Sequence, residues 1–478
     1  MVEVGVIGAG PAGAVAALRA AELGARTTLV TKAEFGGTAA NDGPVPVRAL
    51  AQAARLLREA RQMKNFGISV DQPKLNYLDL LAEIRETVDR VKARSSFRRQ
   101  IDELGVVVHE NAGAARFADR HTIETASGLR IRADRFIICA GGASRKLPIP
   151  GFELTSTHSD AWSLTSAPES MIVIGSGATG AQVASIFNAF GSRVELFEAG
   201  PRIIPTEDPD VSEAVAQGFR AAGIVVRENF GKIVSFEKTA SGVRMNFTSA
   251  DGVPESVEAQ LAVVAVGWVA DTAGLGLDAA GVELNNRGFI KVDEHLRTTQ
   301  PHIFAGGDIT GRLMLVSQAL QDGYVAATNA LLETSQPPPS EACPVGSFTD
   351  PEYAHVGIGE AEAKASFDAL IFVFPFNALT RSIIDRRTFG FCKIIVDRKS
   401  KLLLGCHVVG DRAVDIAQVA AIVISARMAI DDLATLPLSF PTYAGVLSRA
   451  AASACQQMGL DLGQFGHHQE RTRSAPGL

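Results

Sequence analysis

The chain has 478 residues, with 46 lysine and arginine residues against 52 aspartate and glutamate residues, a formal net charge of −6. This balance does not favour nucleic acid or an anionic membrane surface as a partner. At about 150 residues per domain, the length predicts about three domains. The composition, 46% hydrophobic and 21% charged, is typical of a globular protein. Because no apolar run reaches the ~18 residues of a membrane span and the apolar amino terminus lacks a basic leader, we expect no transmembrane segment and a cytoplasmic protein.

The amino terminus predicts a strand, a glycine-rich turn and a helix. Residues 2–7 are apolar and precede a G-x-G-x-x-G sequence that opens an alanine-rich helix ending at Leu23. The first glycine permits a tight turn, the second lets the backbone approach a pyrophosphate, and the third lets the helix pack on the strand. The free N–H groups of the helix then face the phosphates. This predicts a dinucleotide site at Gly8, Gly10, Pro11, Ala12 and Gly13, with Thr31 in the position of the usual acidic residue at the end of the second strand.

Long amphipathic helices are predicted at residues 48–63 and 77–104, before a second strand–glycine–helix unit that starts at Met171. Its acidic residue is present, because Glu198 ends the second strand, 23 residues beyond Gly175. A carboxylate there accepts hydrogen bonds from both ribose hydroxyls and repels a 2′-phosphate, which predicts NADH in preference to NADPH. The predicted NAD residues are Gly175, Gly177, Ala178, Thr179, Gly180, Gln182, Glu198 and Gly267.

A third strand ends in the glycine-rich turn Ala305-Gly306-Gly307-Asp308, and a helix follows at residues 318–332. Residues 336–340 are the clearest linker, because they contain three consecutive prolines. The antiparallel strands predicted beyond it include residues 390–396 and 402–409. Five cysteines show neither C-x-x-C nor metal-ligand spacing, so we expect no metal site. Cys392 and Cys406 flank a hairpin turn, from which they could face each other across two strands as buried thiols.

Residues 36–48 read G-G-T-A-A-N-D-G-P-V-P-V-R and resemble the redox-active segment of the flavoprotein disulfide reductases, which include dihydrolipoamide dehydrogenase, glutathione reductase and mercuric reductase. That family has G-G-T-C-x-N-x-G-C-V-P-[ST]-K, so Ala39 and Pro44 occupy the positions of the two cysteines and Arg48 that of the lysine. Residues 267–271 resemble the family's G-R-x-P-N, and residues 348–352 its F-T-x-P-E. The resemblance extends over nearly the whole chain.

The resemblance implies an α/β fold with two Rossmann-like dinucleotide-binding domains and a carboxy-terminal α+β dimerisation domain, and therefore a homodimer. The expected boundaries are 1–152 and 272–336 for the FAD-binding domain, 153–271 for the inserted NAD-binding domain, 341–465 for the dimerisation domain and 466–478 for a mobile tail. The FAD residues that the resemblance implies, besides those of the first glycine turn, are Thr31, Gly37, Thr38, Arg48, Gly141, Asp308 and Ala319.

The chain departs from the family at the residues that carry the family's redox and acid–base chemistry. The family's H-P-T-x-x-E supplies a histidine–glutamate acid–base pair, but Phe440 and Gly445 occupy those two positions. A disulfide reductase needs two thiols and a base, so this chain is predicted not to be one. The leading hypothesis is an FAD-dependent NADH oxidoreductase that passes electrons directly to a small-molecule acceptor such as a quinone. The residues predicted to surround the acceptor are Ala39, Asp42, Pro44, Arg48, Phe440 and Tyr443.

Alternative functions stay open at this point. Related members that lack the thiols include a pyridine nucleotide transhydrogenase, and one relative, a carboxylase, also has phenylalanine in the histidine's position. A flavin-bearing sensor of the NADH/NAD ratio, without robust turnover, is a further alternative. The sequence does not identify the acceptor, because the shape of the pocket decides which molecule fits.

Overall fold

The computed structural model describes residues 1–162, 164–332, 336–337 and 342–463. The chain divides into two compact units. Unit 1 comprises Met1–Pro148, Ser159–Ser166 and Val266–Pro339, and unit 2 comprises Ile149–His158, Ala167–Ala265 and Ser340–Leu478. Part of the predicted linker, residues 338–340, and the whole predicted tail, residues 466–478, lie outside the described residues. The boundaries of the three expected domains stay a prediction.

The strands alternate between parallel and antiparallel groups along the chain. Those of the first third are β1 (Glu3–Ile7), β2 (Arg26–Val30), β3 (Val107–His109), β4 (Ala115–Asp119), β5 (Thr122–Thr125), β6 (Arg130–Arg132), β7 (Arg135–Ile138) and β8 (Gly142–Ser144). They are followed by β9 (Ser170–Ile174), β10 (Arg193–Phe197), β11 (Val225–Arg227), β12 (Lys232–Lys238), β13 (Val243–Thr248), β14 (Pro254–Ala259), β15 (Leu261–Val264) and β16 (Trp268–Ala270). The last are β17 (Ile303–Ala305), β18 (Val345–Ser347), β19 (Tyr353–Gly357), β20 (Ala369–Pro375), β21 (Phe391–Asp397) and β22 (Leu403–Val409).

The helices connect these strands. Before residue 200 they are α1 (Pro11–Glu22), α2 (Gly37–Asn41), α3 (Pro44–Gln62), α4 (Tyr77–Arg94), α5 (Ser96–Glu103), α6 (His158–Ala161) and α7 (Ala178–Phe190). Beyond it they are α8 (Pro209–Ala221), α9 (Leu277–Ala280), α10 (Val316–Leu332), α11 (Glu360–Ser366), α12 (Thr380–Ile384), α13 (Ala413–Ser425), α14 (Ile430–Thr435) and α15 (Gly445–Gln457).

Unit 1 is built on a five-stranded parallel sheet with the order β17-β7-β1-β2-β3. Its edge strand β17 comes from the part of the chain that follows the second glycine-rich unit. Helices α1 and α10 pack on this sheet through small side chains such as Ala16 and Ala326, which are fully buried. A three-stranded antiparallel sheet of β4, β5 and β6 and a two-stranded ladder of β8 and β16 complete the unit. Because parallel strands place their carboxyl ends at one edge, the loops after β1, β2, β7 and β17 meet there.

Unit 2 contains a second parallel sheet, with the order β11-β10-β9-β15, and an antiparallel sheet of β12, β13 and β14. Its carboxy-terminal part is a five-stranded antiparallel sheet with the order β18-β19-β22-β21-β20, covered by α13 and α15. The predicted α/β fold class, with an α+β carboxy-terminal region, is therefore confirmed. The described residues include no helix that is long and apolar enough to cross a membrane.

Two helix predictions need correction. The helix predicted at residues 77–104 is two helices, because Ser95 takes an extended conformation (φ −61°, ψ 117°) between α4 and α5. The helix predicted to begin at Arg48 begins at Pro44, four residues earlier. Pro44 and Pro46 fit in its first turn because the N–H groups of that turn have no partner within the helix.

A buried lysine explains why the second glycine-rich region and the carboxy-terminal sheet form one compact unit. Lys393 on β21 is 0% exposed, and its Nζ lies 2.8 Å from Asp208 and 2.6 Å from Asp210, at the start of α8. Burial lowers the pKa of Lys393, but the hydrogen bonds and charges of the two aspartates outweigh it, so the net shift is upward. A buried charge paired in this way strongly disfavours separating the two regions, because separation removes its partners.

The cysteine pair predicted across the hairpin is buried in the same sheet. Cys392 and Cys406 are both 0% exposed, and their Sγ atoms lie 3.8 Å apart. Cys406 pairs with Ile394 in the ladder of β21 and β22, so the two cysteines are diagonal neighbours on one face. They pack as small hydrophobic side chains in the core of unit 2.

We predict that Phe136→Ala destabilises the protein by about 3–5 kcal/mol. Phe136 is fully buried in β7, and its ring meets that of Phe117 edge to face at 5.2 Å between centroids. The matched control is Phe66→Ala, because the Phe66 side chain is more than half exposed, and about 0.5 kcal/mol or less is expected there. Chemical denaturation measures both losses, and equal losses would contradict the assignment of Phe136 to the core.

Candidate functional site

The first glycine turn joins β1 to α1 in a conformation that only glycine fits. Gly8 has φ +101°, and a Cβ atom there would lie 2.2 Å from the carbonyl oxygen of Cys139. A Cβ atom on Gly13 would lie 1.8 Å from the carbonyl oxygen of Gly8. Gly10 caps α1 without a side-chain hydrogen bond, so the first-turn N–H groups have no side-chain cap. Free N–H groups at a helix amino terminus form a site for phosphate.

The segment from Gly36 to Arg48 is held against this turn by backbone contacts. The N–H of Gly36 donates to the carbonyl oxygen of Ala9 at 2.9 Å, and a Cβ atom on Gly37 would lie 2.7 Å from Cα of Gly10. Within the segment, the N–H of Gly43 donates to the carbonyl oxygen of Thr38 at 2.6 Å. The segment is therefore folded and ordered by its glycines, and none of these contacts needs a cysteine.

The predicted acceptor-side residues of unit 1 lie on this segment. Ala39 is half-buried in α2, Pro44 is exposed at the start of α3, and Arg48 is half-buried one turn later. Asp42 accepts a hydrogen bond from the hydroxyl of Ser159 at 2.5 Å, a partner 117 residues away in the chain. A tertiary contact therefore helps to fix the position of Asp42.

Cys139, the one cysteine in unit 1, lies behind the first glycine turn and is not a candidate nucleophile. Its side chain is buried, and burial, with a further contribution from the charge of Asp322, raises its pKa to about 12. The thiolate is the nucleophilic form, so this thiol is inert near neutral pH.

Asp308 begins a short 3₁₀ turn after β17 and lies at the same sheet edge. A Cβ atom on Gly142, which follows β7, would lie 3.7 Å from Cβ of Asp308, and one on Gly307 would lie 3.1 Å from Cβ of Ala12 and 3.6 Å from Cβ of Ala319. Burial, and then the charge of Asp322, raise the pKa of Asp308. The structure thus brings together the glycine turn, Asp308 and Ala319, as the sequence predicts.

Thr31 and Gly141 complete the predicted set at this edge. Thr31 follows β2 and is buried, with its N–H donating to His109 and its carbonyl oxygen accepting from Ala112. Gly141 follows β7 with φ +79°. The close backbone approach of Gly10 and Gly37, the open helix terminus and the buried carboxyl group fit a dinucleotide whose pyrophosphate lies at α1.

The second glycine turn, between β9 and α7, has the same construction in unit 2. A Cβ atom on Gly180 would lie 1.8 Å from the carbonyl oxygen of Gly175. Glu198 follows β10, where one carboxylate oxygen accepts from the N–H (3.1 Å) and the hydroxyl (2.6 Å) of Ser176. Its other oxygen accepts from the N–H of Gly200 at 2.8 Å. A carboxylate has about four acceptor positions, so Glu198 retains capacity for a ribose hydroxyl.

The other predicted NAD residues lie at the start of α7 and, for Gly267, in unit 1. Ala178 and Thr179 begin α7, where Gln182 donates through its side-chain amide to the carbonyl oxygen of Ala178 at 3.0 Å. The N-cap Gly177 has no side-chain capping bond, which leaves this helix terminus open as well. Gly267 belongs to unit 1, where its carbonyl oxygen accepts from the N–H of Arg145 at 3.0 Å.

Tyr443, predicted beside the acceptor, is buried in unit 2, where its ring packs near that of Phe376 at 6.0 Å between centroids. Its place beside the acceptor stays a prediction. Burial, and then the charges of Asp411 and Asp385, raise the pKa of its hydroxyl. Phe440, three residues earlier, is 72% exposed. The aromatic side chain that replaces the family's histidine is therefore on the surface of its own chain.

Three polar residues of these sites were missed by sequence reasoning. Asp322 on α10 is buried and accepts from the N–H of Gly307 at 3.0 Å, from the side chain of Gln318 at 2.8 Å and from Arg312 at 3.2 Å. Ser176 binds Glu198, and Ser159 binds Asp42. Asp322 could have been indicated as the one charged residue of α10, whereas no local pattern indicates Ser159.

Comparison with known proteins agrees with this construction. Residues 2–323 match the family described as pyridine nucleotide-disulphide oxidoreductase, and residues 343–451 match the dimerisation domain of that family. Dihydrolipoyl dehydrogenase 2 of Haloarcula marismortui is 32% identical over 95% of this chain and 96% of its own length. Mercuric reductase of Bacillus cereus is 29% identical over 93% of this chain and 70% of its own length.

A solved structure has the same fold as this chain. The crystal structure of LpdA from Mycobacterium tuberculosis superimposes with a TM-score of 0.85 at 27% identity and covers 95% of this chain and 99% of that chain. The match to a dimerisation domain indicates a homodimer. The chain therefore belongs to the class I pyridine nucleotide-disulfide oxidoreductases, a family of FAD-dependent enzymes that use NAD(P)H.

Proposed function

We propose that the protein is an FAD-dependent NADH oxidoreductase that passes electrons directly to a non-disulfide acceptor, of which a quinone is the class we favour. The observation that carries the proposal is the folded segment from Gly36 to Arg48, which keeps its backbone contacts to the first glycine turn while Ala39 and Pro44 replace both thiols. Disulfide exchange requires a thiolate. This chain thus keeps the loop that adjoins the proposed cofactor site but lacks the thiols that disulfide reduction requires.

The residues that would hold FAD are those at the carboxyl edge of the sheet in unit 1. The open terminus of α1 would bind the pyrophosphate through backbone N–H groups, and Asp308 would accept a hydrogen bond from a hydroxyl of the ribitol chain. Arg48, half-buried on α3, would lie beside the flavin as the family's lysine does. FAD bound there would supply two-electron chemistry between NADH and an acceptor.

The acceptor side would lack the thiols and the histidine–glutamate pair of the family. Ala39 and Pro44 present apolar surface, and neither the exposed Phe440 nor Gly445 can accept or donate a proton. An apolar wall suits the ring of a flat acceptor such as a quinone. Asp42, hydrogen-bonded to Ser159, is the carboxyl group of the segment that could supply a proton to such an acceptor.

Glu198 would select NADH. Its carboxylate is fixed at the end of β10 by Ser176 and Gly200, beside the second glycine turn. It would accept hydrogen bonds from the adenine ribose, and its negative charge would repel a 2′-phosphate at that position.

The central prediction concerns turnover. Purified holoenzyme should show bleaching of flavin absorbance on anaerobic addition of NADH, and addition of a quinone panel should restore the absorbance at least tenfold faster than buffer alone. No reduction of lipoamide, glutathione disulfide or Hg²⁺ is expected, because the thiols are absent. Flavin reduction without faster reoxidation by any quinone would reject the quinone acceptor, and a stable complex with NAD and no turnover would favour the NADH sensor.

We predict that Glu198→Gln lowers the ratio of kcat/KM for NADH to that for NADPH by about tenfold, which corresponds to about 1.4 kcal/mol. Glutamine keeps the shape of the side chain but removes the repulsion of the 2′-phosphate. The matched control is Glu195→Gln on the same strand, where the carboxylate pairs with Arg227 at 2.8 Å. An unchanged ratio for Glu198→Gln would show that Glu198 does not contact the ribose.

We predict that Asp322→Asn weakens retention of FAD. Asparagine retains one acceptor oxygen, but its amide N–H₂ replaces the other and faces one of the donors Gly307, Gln318 and Arg312. That donor loses its acceptor, and a buried unsatisfied donor costs about 1–3 kcal/mol. The exposed Asp278→Asn on α9 is the control. The ratio of flavin to protein absorbance after dialysis measures retention, and thermal unfolding of the apoprotein shows whether the effect is a general loss of stability. Full retention in Asp322→Asn would contradict the role given to this residue.

A further inference from the structure

Unit 1 contains an open cavity of about 520 Å³ beside Gly267 and the turn that carries Asp308. We call it the arginine cavity, because Arg145, Arg287 and Arg312 line it together with Trp268, Phe289 and Met314. These residues come from four separate stretches of the chain that unit 1 brings together. The volume is within the range of about 300–1,000 Å³ that is typical of small-molecule sites.

The charged residues that line the cavity are all arginines. None of the residues that line it is acidic. Arg312 lies 3.2 Å from Asp322, which is almost wholly buried behind the wall. Among the described residues, neither Arg145 nor Arg287 has a carboxylate within 4.0 Å. The three arginines are exposed, so water screens their mutual repulsion, and an anion that enters the cavity accepts their charge-assisted hydrogen bonds.

The walls of the cavity favour a flat aromatic ligand. Phe289 is buried, Trp268 is half-buried, and the guanidinium of Arg287 lies over the Phe289 ring at 5.4 Å from its centroid. Arg287 is held there because its Nη2 donates to the carbonyl oxygen of Gly311 at 3.0 Å. Trp268 occupies the position at which the family's G-R-x-P-N motif has arginine, so this chain has an aromatic surface where a further charge would be expected.

The cavity adjoins the turn that carries Asp308. Gly311 lines it and donates its N–H to the carbonyl oxygen of Asp308 at 3.0 Å. Arg312 lines it as well and shares Asp322 with the N–H of Gly307. The proposed FAD site and the cavity are therefore two sides of one turn.

We propose that the arginine cavity binds the anionic group of the electron acceptor, so that the acceptor is a planar aromatic anion such as a sulfonated or carboxylated quinone. This inference rests on the proposed function, whose acceptor class it narrows. The reaction is balanced as NADH, a proton and the quinone giving NAD⁺ and the hydroquinone, in which NADH supplies two electrons and one proton and solvent supplies the second proton.

The test compares a charged quinone with a neutral one. We would measure kcat/KM of the holoenzyme for anthraquinone-2-sulfonate and for menadione, in the wild type, in Arg145→Gln, in Arg287→Gln and in the double variant. The matched control is Arg85→Gln on α4, an exposed arginine of unit 1 outside the cavity. Binding of the redox-inert naphthalene-2-sulfonate is measured separately by quenching of tryptophan fluorescence, because the chain has two tryptophans and Trp268 lines the cavity.

The expected result is about fivefold to tenfold weaker sulfonate binding and a similar loss in kcat/KM for the sulfonated quinone in each single variant, since charge-assisted hydrogen bonds are lost. The double variant should lose more, while kcat/KM for menadione and the KM for NADH stay unchanged in all three arginine variants. Trp268→Leu should weaken both quinones, because it removes the aromatic wall but no charge.

Two results would overturn the inference and leave the proposed function standing. One is unchanged selectivity between the two quinones in the double variant, and the other is a rise in the KM for NADH that equals the loss for the sulfonated quinone, which would assign the cavity to the nucleotide. Arginine-dependent binding of naphthalene-2-sulfonate without reduction of either quinone would reject the proposed function and with it the acceptor role of the cavity.

Discussion

The backbones of Gly10 and Gly37 lie so close that a Cβ atom on Gly37 would be 2.7 Å from Cα of Gly10, and the N–H of Gly36 donates to Ala9 beside them. This contact fixes the segment from Gly36 to Arg48 against the first glycine turn through backbone atoms alone. The side chains at positions 39 and 44 take no part in it. The fold therefore places no requirement on cysteine at these positions, which is why a member of a disulfide reductase family can lose both thiols and retain the loop that adjoins the predicted FAD site.

The same separation of fold and chemistry extends to the charges of unit 1. Asp322 accepts hydrogen bonds from Gly307, Gln318 and Arg312, so it holds the Asp308 turn on one side and an arginine of the cavity on the other. Burial raises the pKa of both Asp308 and Asp322, and Arg312 opposes that rise at Asp322. Loss of Arg312 would remove the charge that opposes the rise at Asp322 and would favour the protonated form of that carboxyl group. Arg312 is thus coupled to the predicted FAD side of the turn as well as to the cavity.

Local patterns predicted the parts of the protein that depend on neighbouring residues. The glycine turns and Glu198 follow from spacing, since a strand, a tight turn and a helix impose their own sequence requirements. The break at Ser95 was missed because residues on both sides continue an amphipathic pattern. The partners Asp42 and Ser159, and the four stretches around the arginine cavity, are far apart in the chain and share no local pattern. Only the assembled unit brings them together.

In unit 2, a buried charge connects the carboxy-terminal sheet to the second dinucleotide region. Lys393 on β21 is buried and paired with Asp208 and Asp210 at the start of α8, so the antiparallel sheet and the second dinucleotide region are held together by charges that neither can leave unpaired at low cost. On the surface of the same unit, the apolar side chain of Phe440 is 72% exposed. The histidine of the related disulfide reductases needs a polar partner, whereas a phenylalanine at this position gains only from apolar contact. Phe440 can therefore contribute apolar surface, but it supplies neither a charge nor a proton, and the acid–base step of the disulfide reductases has no side chain to carry it at this position.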